Sequence, residues 1–299
     1  MSMIKGKITF KTLSPVILSS RMEGALYQGV DFKEVEKNTK IQIVYSFYSY
    51  CNRNLKAERP FEFASNYYIP ASALKGALLG RAQSCDFPKE VIGEQEEKLF
   101  RSQMRFRDIE IKPTEIILEN IHKIQYLYQN ESTEKQENID STKVYKIPKL
   151  DVFFPSIQVE MLQAGTEFCG EILLKVEENT FKEKLKNNYK NTTQKIENYI
   201  NEIDGRYQKI KKWKLSEKKL YDTLSNIKKS LQGYLDGEHK LIFLGGYKGL
   251  LASLNQLDTN NEKEIRNGFY IDPISHLPYG LVEVIKEEYF KNKISIKNI

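Results

Sequence analysis

Short segments in which apolar and polar residues alternate recur along the chain, and a few helical segments separate them. Ile8 and Phe10 alternate with polar neighbours, and residues 104–111 and 167–176 repeat the pattern, which is typical of half-buried strands. The spacing of apolar residues predicts helices over about 39–55, 72–84, 180–203 and 216–234. This order of elements predicts an α+β fold in which open sheets are backed by helices on one face.

Two of the predicted helices differ in the strength of their pattern. The segment 216–234 carries an apolar stripe made of Leu220, Leu224, Ile227 and Leu231, which predicts one buried face. The segment 39–55 begins with a capping-box sequence, and we interpret it as a helix. Its content of Ile, Val, Tyr and Phe also suits a strand.

The length of 299 residues predicts two domains. Residues 129–142 are almost free of apolar side chains, so we expect a long flexible loop between paired strands of the first domain. A new strand-like segment follows residue 165, and two helices come after it. We therefore expect an N-terminal domain over 1–165 and a C-terminal domain over 166–299.

Composition excludes several classes of protein. Apolar residues make up 40% of the chain and charged residues 29%, which excludes a disordered tail and a bundle of membrane helices. The N-terminus has no apolar core of a signal peptide. Cys51, Cys85 and Cys169 are widely spaced, so neither a disulfide framework nor a zinc site is predicted. We therefore expect a cytoplasmic protein that makes no contact with a membrane.

Positive charge is concentrated in the second half of the chain. The formal net charge is +6, and residues 181–240 hold 14 Lys and one Arg against 8 acidic residues. Such a surface can attract nucleic acid. A solvated helix surface explains the same charge equally well.

Residues 68–81 (YIPASALKGALLGR) form the first segment with a chemical signature. Pro70 ends a strand-like stretch, and Ser72 can cap the helix that follows. Glycine destabilises a helix interior by about 1 kcal/mol relative to alanine, so Gly76 and Gly80 indicate a steric requirement. That requirement is met either by close approach of nucleic acid or by close packing of the helix on a sheet.

Residues 244–251 (LGGYKGLL) form the second segment. Three glycines in five positions favour positive φ angles and a concave run of N–H groups that suits phosphate. Tyr247 offers a ring on which a base can stack, and Lys248 adds charge. The stretch matches neither a Walker loop nor a dinucleotide-binding fingerprint, and an ordinary hairpin turn is the alternative.

Together the two segments resemble a known family. IPASALKGALLGR is similar to the IPGSSLKGALR helix of the repeat-associated RAMP proteins of CRISPR systems, and LGGYKGLL is similar to their C-terminal glycine-rich loop. Residues 8–20 (ITFKTLSPVILSS) resemble the family's first strand and the turn after it. Residues 150–174 resemble its central strands. Among the branches, GGYKGLL with the later LPYGLVEV looks most like the subunit that caps the 3′ end of the guide RNA in type III-A (Csm) effector complexes.

This resemblance implies tandem ferredoxin-like (RRM-like) domains with helical insertions. It implies an RNA-binding subunit that contacts the CRISPR guide RNA, other subunits of the effector complex and, indirectly, the target RNA. The positions that match the two motifs, and that would line the RNA path, are Ser72, Lys75, Gly76, Arg81, Gly245, Gly246, Lys248 and Gly249.

The resemblance bears on catalysis as well. RNA-processing relatives use a histidine, whereas the first histidine here is His122, and His239 and His276 are far apart in the sequence. Target-cutting relatives use an acidic residue in the first long loop, where this chain has Glu23 and Asp31. We expect no catalytic residue, no metal and no cofactor. A RAMP-fold endoribonuclease and a repeating backbone-type subunit remain the alternatives.

Overall fold

The structure, a computed structural model, describes most of the chain. The described residues are 3–19, 24–36, 39–50, 53, 55–80, 98–124, 128–129, 145–146, 150–212, 218–253 and 268–291. These residues form several antiparallel sheets together with helices, which confirms the predicted α+β class. Apart from Gln129, the predicted polar loop 129–142 lies outside them.

The strands are short apart from β1, β13 and β16. In chain order they are β1 (Ile4–Thr12), β2 (Ala25–Tyr27), β3 (Ile43–Tyr45), β4 (Tyr67–Ile69), β5 (Met104–Phe106), β6 (Ile109–Ile111), β7 (Ile116–Glu119), β8 (His122–Ile124), β9 (Tyr128–Gln129), β10 (Tyr145–Lys146), β11 (Leu150–Val152), β12 (Ile157–Leu162), β13 (Glu167–Leu174), β14 (Leu241–Phe243), β15 (Phe269–Tyr270) and β16 (Leu281–Lys291). The α-helices are α1 (Ala71–Leu79), α2 (Glu178–Lys212), α3 (Lys218–Leu235) and α4 (Gly249–Ser253). A single 3₁₀ turn at Pro113–Glu115 precedes β7.

The central sheet has five antiparallel strands in the order β14–β16–β1–β13–β5. Its middle strand, β1, alternates as the sequence predicts, with Ile8 and Phe10 fully buried. This sheet combines strands from both sides of residue 165. β1 precedes that residue, and its two neighbours in the sheet, β13 and β16, follow it. The division into two ferredoxin-like domains stays a prediction.

Smaller sheets surround the central one. β2, β3, β12 and β7 form a four-stranded sheet in which β3 and β12 run parallel. β11, β8 and β15 form a three-stranded antiparallel sheet. β4 pairs with β6, and β9 pairs with β10.

Two main apolar cores meet at β14. Ile242 of β14 packs into the core between the central sheet, α1 and the start of α2. Leu241 and Phe243 point to the other side, into the core formed with α2 and α3. The apolar stripe predicted on α3 is buried in this second core, so the prediction for that helix is confirmed.

The prediction of a helix over 39–55 is wrong. Residues 43–45 form β3, which pairs with β2 and lies parallel to β12. Val44 is fully buried beside Phe32 and Ile41. Pairing on both sides favours the β-branched and aromatic residues of this segment, and it outweighs their helical spacing.

The predicted capping of α1 by Ser72 is also wrong. Pro70 occupies the N-cap position, and its side chain has no polar group that could form a capping hydrogen bond. The helix ends at Leu79 because Gly80 takes a φ of 69°. Of the described helices, none is long and apolar enough to cross a membrane.

Candidate nucleic-acid interface

The two segments singled out in the sequence meet at one cleft of about 250 Å³. Ser72 and Ala73 from the first turn of α1 form one wall, and Gly246 and Tyr247 from the loop between β14 and α4 form another. Residues 17–19, which follow β1, complete the lining together with Tyr48 and Pro70. The structure therefore brings together two motifs that lie more than 160 residues apart in the sequence. We refer to this feature as the cleft.

The glycine-rich loop has the backbone conformation that its sequence predicts. Gly245 and Gly249 have φ angles of 91° and 74°, and Tyr247 between them has a φ of 51°. The expectation that the N–H groups of this loop are open to a ligand is wrong for Gly246. Its N–H donates to the carbonyl oxygen of Ile17 at 2.8 Å, which fastens the loop to the segment after β1.

The predicted loop cation is held in a similar way. Lys248 Nζ donates to the carbonyl oxygen of Phe243 at 3.1 Å. The carbonyl oxygen of Lys248 accepts a hydrogen bond from the hydroxyl of Tyr199 on α2. Burial raises the pKa of Tyr199 above its usual range, so this hydroxyl remains a donor. Lys248 thus contributes to the shape of the loop as well as to its charge.

A carboxylate already occupies the N-terminus of α1. Asp108 accepts the N–H of Ala71 through one oxygen at 2.7 Å and the hydroxyl of Tyr50 through the other at 3.2 Å. An acidic group is favourable at this end of a helix. The same carboxylate opposes a phosphate at that position, so the sequence-based expectation of anion binding there is weakened.

The two glycines of the first motif have different roles. A Cβ atom at Gly80 would lie 3.1 Å from Asn188 Oδ1 of α2, and Asn188 Nδ2 donates to the carbonyl oxygen of Ala77 at 2.7 Å. Gly80 therefore ends the helix where α2 packs against it. A Cβ at Gly76 would meet no atom of the described residues within 4 Å. Gly76 lies one turn after Ser72 and Ala73, on the same side of α1, so this side remains open.

Lys75 is a structural cation in this arrangement. Its ammonium donates to the carbonyl oxygen of Arg101 and, at 3.0 Å, to that of Met104. Burial, with a smaller contribution from the nearby Arg101, lowers its pKa. These bonds join α1 to the chain that leads into β5. A contact between Lys75 and RNA stays a prediction, and Arg81 lies outside the described residues.

We expect Lys75→Met to lower the free energy of unfolding by roughly 1–3 kcal/mol, because two carbonyl oxygens lose a charged donor. Chemical denaturation measures this change. Lys7→Met is the matched control, since Lys7 is exposed on β1 and its replacement should change stability by less than about 0.5 kcal/mol. Equal stability of the two variants would show that the bonds of Lys75 contribute nothing.

The candidate catalytic residues have local partners. Asp31 accepts the N–H of Tyr27 at 2.8 Å within its own turn, which favours a structural role. His239 Nδ1 lies 2.7 Å from Glu283 Oε1. Among the described residues, no three His, Cys, Asp or Glu side chains are grouped as metal ligands. Glu23 lies outside the described residues.

A buried charged network behind the cleft was not predicted from the sequence. Glu160 of β12 is fully buried and accepts hydrogen bonds from Arg53, from the Tyr67 hydroxyl at 2.7 Å and from the N–H of Phe47 at 2.9 Å. Phe47 immediately precedes Tyr48 of the cleft wall. A glutamate within an apolar strand was a possible signal, but Arg53 and Phe47 lie in loops and Tyr67 lies in a strand of only three residues, so no periodic pattern identifies them as its partners.

No family model matches the sequence, and no curated protein matches it significantly. The resemblance to RAMP proteins therefore rests on the two motifs, and the function derived from it is a proposal.

Proposed function

We propose that the chain is a non-catalytic, RNA-binding subunit of a type III CRISPR ribonucleoprotein. Within that class, the motifs favour the subunit that caps the 3′ end of the guide RNA in type III-A complexes and supports guide maturation. Its partners would be the guide RNA, neighbouring subunits and, indirectly, the target RNA. The observation that carries the proposal is the cleft, where the two motifs lie side by side.

The open side of α1 supports close approach of a nucleic-acid backbone. Ser72, Ala73 and Gly76 present only small side chains or none, and within the part of the chain that the structure describes no atom lies within 4 Å of a Cβ at Gly76. Gly76 destabilises the helix interior, and no packing contact with a described residue requires a glycine there. A surface that RNA must approach closely would require one. The fixed glycine-rich loop faces this side across the cleft.

Positive charge on α2 supplies the attraction that phosphates require. Lys182, Lys186 and Lys190 are exposed and follow one another at intervals of four residues, so they share one face of the helix. The hydrogen bond from Asn188 to Ala77 places this stretch of α2 beside α1. Lys186 and Lys190 lie about 200° around α2 from Asn188, so the basic face turns away from α1, and Lys182 also pairs with Glu178. This face can therefore attract RNA to the region without contacting a strand in the cleft.

Gly76→Glu tests the proposal with little risk to folding. The Cβ of the new side chain meets no described neighbour, so the variant should fold and be at least as stable as the wild type, while its carboxylate repels RNA at the open side of α1. We expect reduced retention of guide RNA when the tagged chain is purified with its complex. Wild-type affinity for single-stranded RNA should also fall with salt, with a slope of about −0.7 for each phosphate contact.

Gly76→Ala is the control. It should keep RNA binding and raise stability by roughly 0.5–1 kcal/mol, because alanine is the better helix former. Normal RNA content in the folded Gly76→Glu complex would contradict an RNA path along α1. A wild-type protein that binds no RNA at any salt concentration would contradict the proposed function itself.

A further inference from the structure

The three-stranded sheet β11–β8–β15 has two different faces. Phe269, Ile124 and Leu150 pair across its strands and pack into the core with α2 and α3. The next position on each strand pairs in the same way, and side chains there point to the opposite face. Those positions hold Lys123 on the central strand, with Tyr270 on one edge strand and the exposed Asp151 on the other. This second face carries a ring and a cation instead of aliphatic side chains.

Aromatic rings continue from this face to the cleft. Tyr270 contacts Tyr247 of the glycine-rich loop with ring centroids 5.7 Å apart, and it contacts Phe153 on its other side at 5.3 Å. Phe153 in turn lies 4.0 Å from the ring of Phe154. Tyr247 also lines the cleft. We call these four residues the aromatic row, and it begins where the cleft ends.

Lys123 gives the aromatic row a positive charge. Its ammonium lies 4.5 Å from the ring centroid of Phe153 and 5.0 Å from that of Tyr270. Burial lowers the pKa of Lys123. A lysine held above ring faces at a partly exposed surface combines the two features used by proteins that bind single-stranded nucleic acid, namely aromatic faces for bases and a cation for the backbone.

The aromatic row is partly accessible. Phe153, Tyr247 and Tyr270 pack on one side against a small buried cluster that includes Ile121 and Val159. Phe154 is 45% exposed, and Phe153, Tyr247 and Tyr270 are half-buried. Adjacent rings meet at angles of 80° and 84° around Tyr270, so they do not cover one another face to face. The exposed part of these rings, which is largest at Phe154, is the surface that a base can reach.

We infer that the aromatic row stacks the unpaired bases of the RNA strand that leaves the cleft, with Lys123 contacting its backbone. This inference rests on the proposed function, because the RNA must first reach the cleft. Bases are the favoured occupant because the row is continuous with the cleft and carries a cation, and because every base offers a flat π face to an aromatic side chain. Sheet faces that carry aromatic side chains bind single-stranded RNA in this manner in RRM domains.

Two RNA probes of about 12 nucleotides, identical except that one has abasic sites in its second half, separate stacking from phosphate contacts. Tyr270→Ala should weaken binding of the complete RNA by roughly fivefold to a hundredfold, and it should leave binding of the abasic RNA nearly unchanged. Tyr270→Phe should keep wild-type affinity, because the ring is retained. Phe290→Ala is the matched control, since Phe290 is an exposed aromatic residue on β16 outside the row.

The possible results separate the inference from the proposed function. Equal loss of affinity for both probes, or wild-type affinity of Tyr270→Ala for the complete RNA, would overturn the stacking inference while RNA binding stands. Loss of a neighbouring subunit from the complex without loss of RNA affinity would assign the row to a protein partner and would also overturn it. Phe154→Ser, at the exposed end of the row, repeats the test should Tyr270→Ala fail to fold.

Discussion

Glu160→Gln should lower the free energy of unfolding by about 3–5 kcal/mol, the range found when one partner of a buried ion pair is removed. The side chain of Glu160 is fully buried and that of Arg53 is almost so. Substitution by glutamine keeps the volume but leaves the guanidinium of Arg53 without a counter-charge. It also places an NH₂ group among three donors, where the carboxylate accepts from Arg53, Tyr67 and Phe47. Denaturant titration with a constant m-value measures the change.

Glu167→Gln is the matched control for this prediction. Glu167 lies 4.0 Å from Lys11 in an exposed pair on the central sheet, and such pairs contribute less than about 1 kcal/mol. A double-mutant cycle with Arg53→Met should show that the two single changes are not additive. Equal stability of Glu160→Gln and Glu167→Gln would contradict a structural role for the network.

The network also connects stability with the cleft. Glu160 holds the N–H of Phe47, and the carbonyl oxygen of the adjacent Tyr48 accepts the N–H of Tyr68 at 3.0 Å. Tyr68 is two residues before Pro70, the N-cap residue of α1. Loss of the carboxylate should therefore disturb the cleft wall formed by Tyr48. We expect the variant to bind RNA more weakly even at temperatures at which it is still folded.

Local patterns in the sequence predict those elements whose environment is simple. The stripe on α3 faces one core along its whole length, so its spacing predicts both the helix and its buried side. The alternation in β1 is equally clear, since one face of the strand is covered and the other is not. In contrast, β3 obtains its conformation from β12, more than 100 residues later, and local spacing there indicates the wrong element.

The same limit applies to the candidate site. Three glycines in five positions predict positive φ angles, because that preference belongs to the residue itself. The partners of Lys75 and Gly246 are backbone carbonyl groups, and every residue has one, so no sequence pattern identifies them. The aromatic row likewise combines residues from three separate parts of the chain.

Gly245→Ala should destabilise the protein by at least about 2 kcal/mol, because a steric clash adds to the cost of the unfavourable φ angle. Gly245 has a φ of 91°, and a Cβ there would clash with the carbonyl oxygen of Ile17. That oxygen is backbone and accepts the N–H of Gly246, so it cannot move without releasing the loop. Thermal unfolding of the variant, followed by circular dichroism, measures the effect.

Gly249→Ala separates the clash from the conformational strain. Gly249 has a φ of 74°, but a Cβ there would meet its nearest neighbours at 3.7 Å, an ordinary contact. We expect a loss of only about 1 kcal/mol at this position. Gly245→Ala should in addition lose RNA at temperatures where it is still folded, because the loop leaves the segment after β1 and the cleft loses one wall. The contrary result would be a Gly245→Ala protein that is as stable as Gly249→Ala and retains guide RNA. It would show that docking of the loop on Ile17 does not shape the cleft.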